Sequence, residues 1–134
     1  MPSEIRTFFE NYRAAFNALD GAAVARLYAE PSGIAQDGKF THWPTHSDVQ
    51  DNMDSLCQQY RERGYVSAAF EEGAYLQQGP DYAIADLRWR IEWNSGQAPW
   101  EFSTTYNLVR TAEGWRVFVC TAYTESKLFA ANAG

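Results

Sequence analysis

From Ala85 to Trp93 apolar and charged residues alternate strictly, and Ala83 extends the apolar positions. Ala83, Ala85, Leu87, Trp89, Ile91 and Trp93 take the odd positions, while Asp86, Arg88, Arg90 and Glu92 fall on even ones. A period of two held this long specifies a β-strand with one buried and one polar face. The same period governs everything after Gly64: strands are predicted over 65–77, 81–93, 100–111 and 115–125, joined by Gly79-Pro80-Asp81, Asn94-Ser95-Gly96 and Ala112-Glu113-Gly114.

Before Gly64 the period is near 3.6. Ile5, Phe8, Phe9, Tyr12, Phe16 and Leu19 form one helical face, with Ser3 as its expected cap. Asp20 is placed to cap a short second helix whose inner face is Val24, Leu27 and Tyr28, ending before Pro31. Residues 32–41 read as a short strand and turn, with Asp37-Gly38 as the turn. A third helix follows, capped by Ser47 with Gln50 or by Thr45, carrying Val49, Met53, Leu56, Cys57 and Tyr60 inward and stopping at Gly64. Helices followed by hairpin-linked strands specify an α+β fold. Three N-terminal helices are expected on a strongly curved antiparallel sheet of four long strands and one short one. The whole chain, 1–134, reads as one domain with an ordered core of about 3–127 and a frayed tail.

Charge and composition narrow the partners. Eleven Lys and Arg stand against 17 Asp and Glu, a net charge of −6 without a basic cluster, so no nucleic acid or anionic membrane is expected as a partner. No apolar run approaches the roughly 20 residues of a membrane span. MPSEIRTFF has no basic n-region or cleavage site, so a cytoplasmic protein with two buried thiols, Cys57 and Cys120, is expected. Five Trp, eight Tyr and eight Phe exceed what a small core needs, and suggest a lined cavity, a subunit interface, or both.

The segments NYRAAFNALDGAAVARLYAE, GPDYAIADLRWRIEW and TYNLVRTAEGWRVFV, in this order and spacing, resemble the nuclear transport factor 2-like superfamily over about residues 3–125. That superfamily includes ketosteroid isomerases, polyketide cyclases and dehydratases. The resemblance implies a cone-shaped fold, and leaves function open because binding modules and enzymes share it. Aligned on FENYRAAFNALD, the ketosteroid isomerases place their oxyanion-binding tyrosine at Tyr12 and their catalytic aspartate at Gln36, next to Asp37. Gln cannot abstract a proton, and a one-residue slip along a strand reverses the side-chain direction. Their second acid maps near Thr104 or Thr105, and the histidine other members carry on the last strand is replaced near Thr121. The pattern therefore argues against steroid-type isomerisation.

Three residues are candidates for acid–base chemistry: Tyr12 to polarise an oxygen, and Asp37 or His42 to move a proton. His42 and His46 flank Pro44 and so do not share one helix. The expected pocket wall is Phe16, Tyr28, Trp43, Met53, Tyr60, Trp89, Trp100, Phe102 and Tyr106, with Trp93 and Trp115 assigned to core packing. Neither a metal nor a cofactor is expected, for the chain has no metal-ligand spacing, P-loop, GxGxxG turn, CxxC pair or GxSxG elbow. Arg88, Arg90, Asp86 and Glu92 are expected in a cross-strand ladder with Glu101 and Arg116. Regular alternation of the last strand would set Phe118 and Cys120 beside Arg116 on the outer sheet face, a homodimer interface.

The reading is thus a binding protein for a small apolar or aromatic molecule. The alternatives are a cofactor-independent cyclase, isomerase or dehydratase, and an accessory subunit that docks another protein through its outer sheet.

Overall fold

The computed structural model describes residues 1–123. The predicted end of the last strand and the frayed tail lie outside them. Three helices, α1 (Ser3–Asn17), α2 (Gly21–Ala25) and α3 (His46–Glu62), accompany six strands: β1 (Tyr28–Gln36), β2 (Lys39–Trp43), β3 (Tyr65–Gln78), β4 (Tyr82–Trp93), β5 (Trp100–Thr111) and β6 (Gly114–Tyr123). They form one curved sheet in the order β2-β1-β6-β5-β4-β3.

The helices begin and end largely where local chemistry dictates. The side chain of Asp20 accepts from the Ala23 N–H at 3.1 Å and starts α2. Thr45, rather than Ser47, caps α3: its hydroxyl faces the Asp48 N–H while the Asp48 carboxylate accepts from the Thr45 N–H at 3.0 Å. Gly64 follows α3 with φ of 82°, the left-handed conformation that ends helices most readily at glycine. At the start of α1 the residue in the capping position is Pro2, and no side chain caps the helix. Ser3 is already helical.

Three expectations are corrected. Tyr28 opens β1 instead of closing α2, because this stretch pairs with the distant β6: the Val117 N–H donates to the Leu27 carbonyl at 3.0 Å. Long-range pairing overrides a five-residue helical pattern. The predicted single short strand is a hairpin of two, turned by Asp37 and Gly38 at φ of 52° and 77°, the geometry Asp-Gly supplies for a two-residue loop. The sheet is mixed, since β1 runs parallel to β6 while its other pairs are antiparallel.

The odd positions of β4 all point inward and are buried. With Leu108 and Val117 they meet Ile5, Phe9, Val24 and Val49 of the helices, each at 0–2 % exposure where the core is tightest. In β6 a bulge breaks the alternation: Asn107 pairs with Val119 but Leu108 pairs with Val117, leaving Phe118 as the extra residue. Cys120 is therefore turned to the inside, 2 % exposed, and does not share the outer face with Arg116. Phe118 lies against Tyr82, ring centroids 6.1 Å apart, and Tyr82 is exposed. Of the expected charge ladder, Arg90 bonds Glu92 at 2.7 Å and Glu101 at 3.0 Å. Asp86 instead accepts hydroxyl bonds from Thr105 and Tyr123 at 2.9 and 3.0 Å.

Candidate functional site

Between α1, α3 and the concave side of the sheet lies a cavity of about 1200 Å³ that opens to solvent. Its walls come from elements whose periodicity faces one another. Tyr12 and Phe16 are one helical turn apart on α1, and Met53, Leu56 and Tyr60 repeat the same spacing on α3. From the sheet, Trp89 of β4 and Tyr106 and Phe102 of β5 project by alternation.

At the buried end three phenols converge. The Tyr12 and Tyr28 hydroxyls are 2.8 Å apart. The rings of Tyr12 and Tyr106 meet edge-on with centroids 5.5 Å apart, and the Trp89 Nε1–H donates to the Tyr106 oxygen at 3.0 Å. The Tyr28 hydroxyl lies 3.7 Å from Cys120 Sγ. All five side chains are at most 4 % exposed. Burial pushes the Tyr12 phenol well above its ordinary value, with Cys120 nearby adding to it. Burial and Cys120 raise Tyr28 likewise, and burial with Tyr12 raises Tyr106. Desolvation lifts the Cys120 thiol to about 11. The floor is therefore an uncharged set of hydroxyl donors, and its thiol is held protonated and unreactive near neutral pH.

The phenolic protons can be counted. The Tyr12 and Tyr28 hydroxyls share one hydrogen bond and Tyr106 accepts one from Trp89, so the three phenols hold more protons than they use on each other. When Tyr28 donates to Tyr12, the Tyr12 proton is left to face the cavity that its ring lines.

The mouth is different. One side is aromatic: Trp100, 41 % exposed, packs near Phe102 at 5.4 Å and meets Tyr60 edge-on at 6.4 Å. The other side is the β1–β2 hairpin, where Ile34 and Gln36 stand opposite Thr41 and Lys39 and all four line the cavity.

Of the residues expected on the wall, Phe16, Tyr28, Met53, Tyr60, Trp89, Trp100, Phe102 and Tyr106 line this cavity, as do Tyr12 and Asp37. Trp43 does not: it is 4 % exposed and packs edge-on against Tyr28 at 5.7 Å, on the far side of that ring. His42, paired with Gly33 at the sheet edge, is exposed and also absent from the wall. His46 serves structure, its Nε2 bonding the Tyr28 carbonyl at 2.7 Å and its backbone N–H donating to Glu30 at 2.6 Å. Gln36, which stands where the isomerase resemblance puts a base, lines the cavity but cannot take a proton. Thr104 and Cys120 also line it and were not anticipated. Alternation with Phe102 and Tyr106 signals Thr104, whereas the bulge conceals Cys120. No group of three or more His, Cys, Asp or Glu capable of holding a metal occurs among the described residues. No described helix is long and apolar enough to cross a membrane.

Solved structures share this architecture at low identity, which establishes the fold alone. An NTF2-like protein of unknown function from Shewanella oneidensis MR-1 is 16 % identical with a TM-score of 0.73, covering 91 % of this chain and 98 % of its own. An NTF2-like protein with a cystatin-like fold from Novosphingobium aromaticivorans is 19 % identical with a TM-score of 0.74, covering 97 % and 85 %. A ketosteroid isomerase-like protein from Erwinia carotovora atroseptica SCRI1043 is 16 % identical with a TM-score of 0.62, covering 90 % and 92 %. No curated protein matches the sequence. The model of a family described as NTF2-like protein (DUF6841) matches residues 3–125, and the chain belongs to that family.

Proposed function

We propose that this protein binds a small, mostly apolar organic molecule carrying one hydrogen-bond-accepting oxygen, with the rings in the aromatic wall and the oxygen at Tyr12. The observation that carries the reading is the proton left over in the phenol cluster, in a cavity walled by Trp89, Phe102 and Tyr60. A buried neutral donor with no further partner among the phenols favours a ligand carbonyl or hydroxyl over water, because surrounding rings leave little else to bond. The test is a panel of fused-ring ketones, alcohols and hydrocarbons, read by Trp fluorescence quenching and melting temperature. Ketones that quench and stabilise support the reading. No quenching and no thermal shift from any member contradicts it.

The acid–base alternative keeps Tyr12 and Asp37, which line one cavity, and loses His42, which does not. Asp37 lies at the exposed hairpin turn, remote in character from the apolar floor, so the binding reading stands first. The outer sheet supports self-association: Leu76 and Tyr82 are 56 % and 49 % exposed, and Phe118 continues the patch. A homodimer through this face predicts twice the 15.2 kDa chain mass in light scattering at micromolar concentration, and a monomer would refute it.

A further inference from the structure

The cavity is polarised from floor to mouth, and its outer end carries a second recognition element. On the hairpin, the sequence of lining residues runs outward from Ile34 to Gln36 and Lys39, and Ile34 itself pairs with Cys120 at the floor. Across from it α3 presents Asn52, Ser55 and Gln59, three and four residues apart and hence on one stripe, all exposed and all lining the cavity. The Gln59 side-chain amide donates to the Ser55 hydroxyl at 3.5 Å, so the stripe carries neutral donors and acceptors.

Among the described residues, Lys39 is the one cation lining the cavity, and it takes part in no ion pair with any of them. The acidic lining groups differ. Glu101 is held by Arg90 at 3.0 Å, and Asp37 has contacts of its own. An ammonium with no ion-pair partner among the described residues, in a cavity also lined by amide and hydroxyl groups, matches a single negative charge that accepts several hydrogen bonds.

From this we infer that the ligand is an amphipathic monocarboxylate. Its apolar body fills the aromatic end and its carboxylate sits at the mouth on Lys39, with Asn52 and Ser55 as further donors. This rests on the cavity being a binding site, and adds the class of ligand and the residue that selects it. Lys39 then acts as a specificity determinant, drawing an acid into a protein whose net charge of −6 would otherwise disfavour it.

The experiment compares pyrenebutyrate with pyrenebutanol, equal in ring and chain, by titration against Trp fluorescence. The wild-type protein binds the acid about five-fold more tightly than the alcohol, the size of a partly exposed ion pair, and added salt shrinks the preference. Lys39→Met weakens the acid more than the alcohol and removes the preference, whereas Lys39→Arg keeps it. Equal affinity for the two compounds in the wild type, or a preference that survives Lys39→Met, overturns the headgroup assignment while the cavity reading stands. Failure of both compounds to bind overturns both.

Discussion

Tyr106→Phe costs more stability than Tyr28→Phe, although each deletes one hydroxyl and leaves the ring in place. Tyr28→Phe removes the 2.8 Å bond to Tyr12, and the 3.7 Å sulfur contact adds little. Tyr12 still lines the open cavity. One neutral hydrogen bond lost without a stranded donor amounts to about 1 kcal/mol. Tyr106→Phe removes the bond accepted from Trp89 and strands its Nε1–H, now 3.0 Å from that oxygen in a side chain only 3 % exposed. A buried donor without an acceptor adds about 1–3 kcal/mol, for a total of about 2–4 kcal/mol. The gap corresponds to a melting temperature lower by roughly 3–12 °C for a domain of this length. Urea unfolding followed by circular dichroism, with equal m-values across the variants, measures it. Tyr28→Phe costing as much as Tyr106→Phe would refute the assignment of the Tyr106 oxygen as the acceptor of the buried Trp89 Nε1–H.

The remaining predictions concern the thiol, the phenols and two backbone and surface positions. With its thiol at about 11 against an ordinary 9.0, Cys120 has about 100-fold less thiolate at neutral pH, and iodoacetamide labels it only on unfolding. Because Cys120 and the phenols Tyr12, Tyr28 and Tyr106 are all raised in the folded state, the unfolded chain releases their protons first as pH rises. Stability is therefore intact below about pH 9 and declines above it, so tyrosinate absorbance should show a late phase that coincides with loss of circular dichroism. Gly64→Ala places a Cβ 2.1 Å from Asn94 Oδ1 at φ of 82° and costs about 1–2 kcal/mol in urea unfolding. Leu76→Glu, on the exposed outer face, halves the particle mass in light scattering without lowering the chain's helical content.

Much of this architecture is written locally. The alternation of β4 and the helical stripe from Ile5 to Phe16 identify core positions from sequence because each repeats over several turns or pleats. What escaped detection is non-local or brief. The pairing of β1 with β6 joins residues about ninety apart, and no pattern within Leu27-Tyr28 announces it. β2 is five residues long and mostly exposed, too short for a period to register. The bulge at Phe118 reverses the strand's faces after it, which sent Cys120 to the wrong side. The aromatic wall was legible because rings at helical and strand spacing cannot all be outward. Trp43 failed that logic, since β2 turns it against Tyr28 behind the wall. The polar mouth on Gln36, Lys39 and Asn52 was not legible, since exposed polar residues look alike until the fold brings them together.

The account rests on an apolar cavity whose phenol floor offers one proton. Its most direct test is the ratio of dissociation constants for fluorenone and fluorene, which differ by one carbonyl, measured by Trp quenching in the wild type and in Tyr12→Phe. Fluorenone should bind roughly 5–10-fold more tightly to the wild type, the worth of one buried hydrogen bond, and the ratio should fall to about one in Tyr12→Phe. Equal binding of the two compounds to the wild type, or a ratio unchanged by Tyr12→Phe, would contradict it.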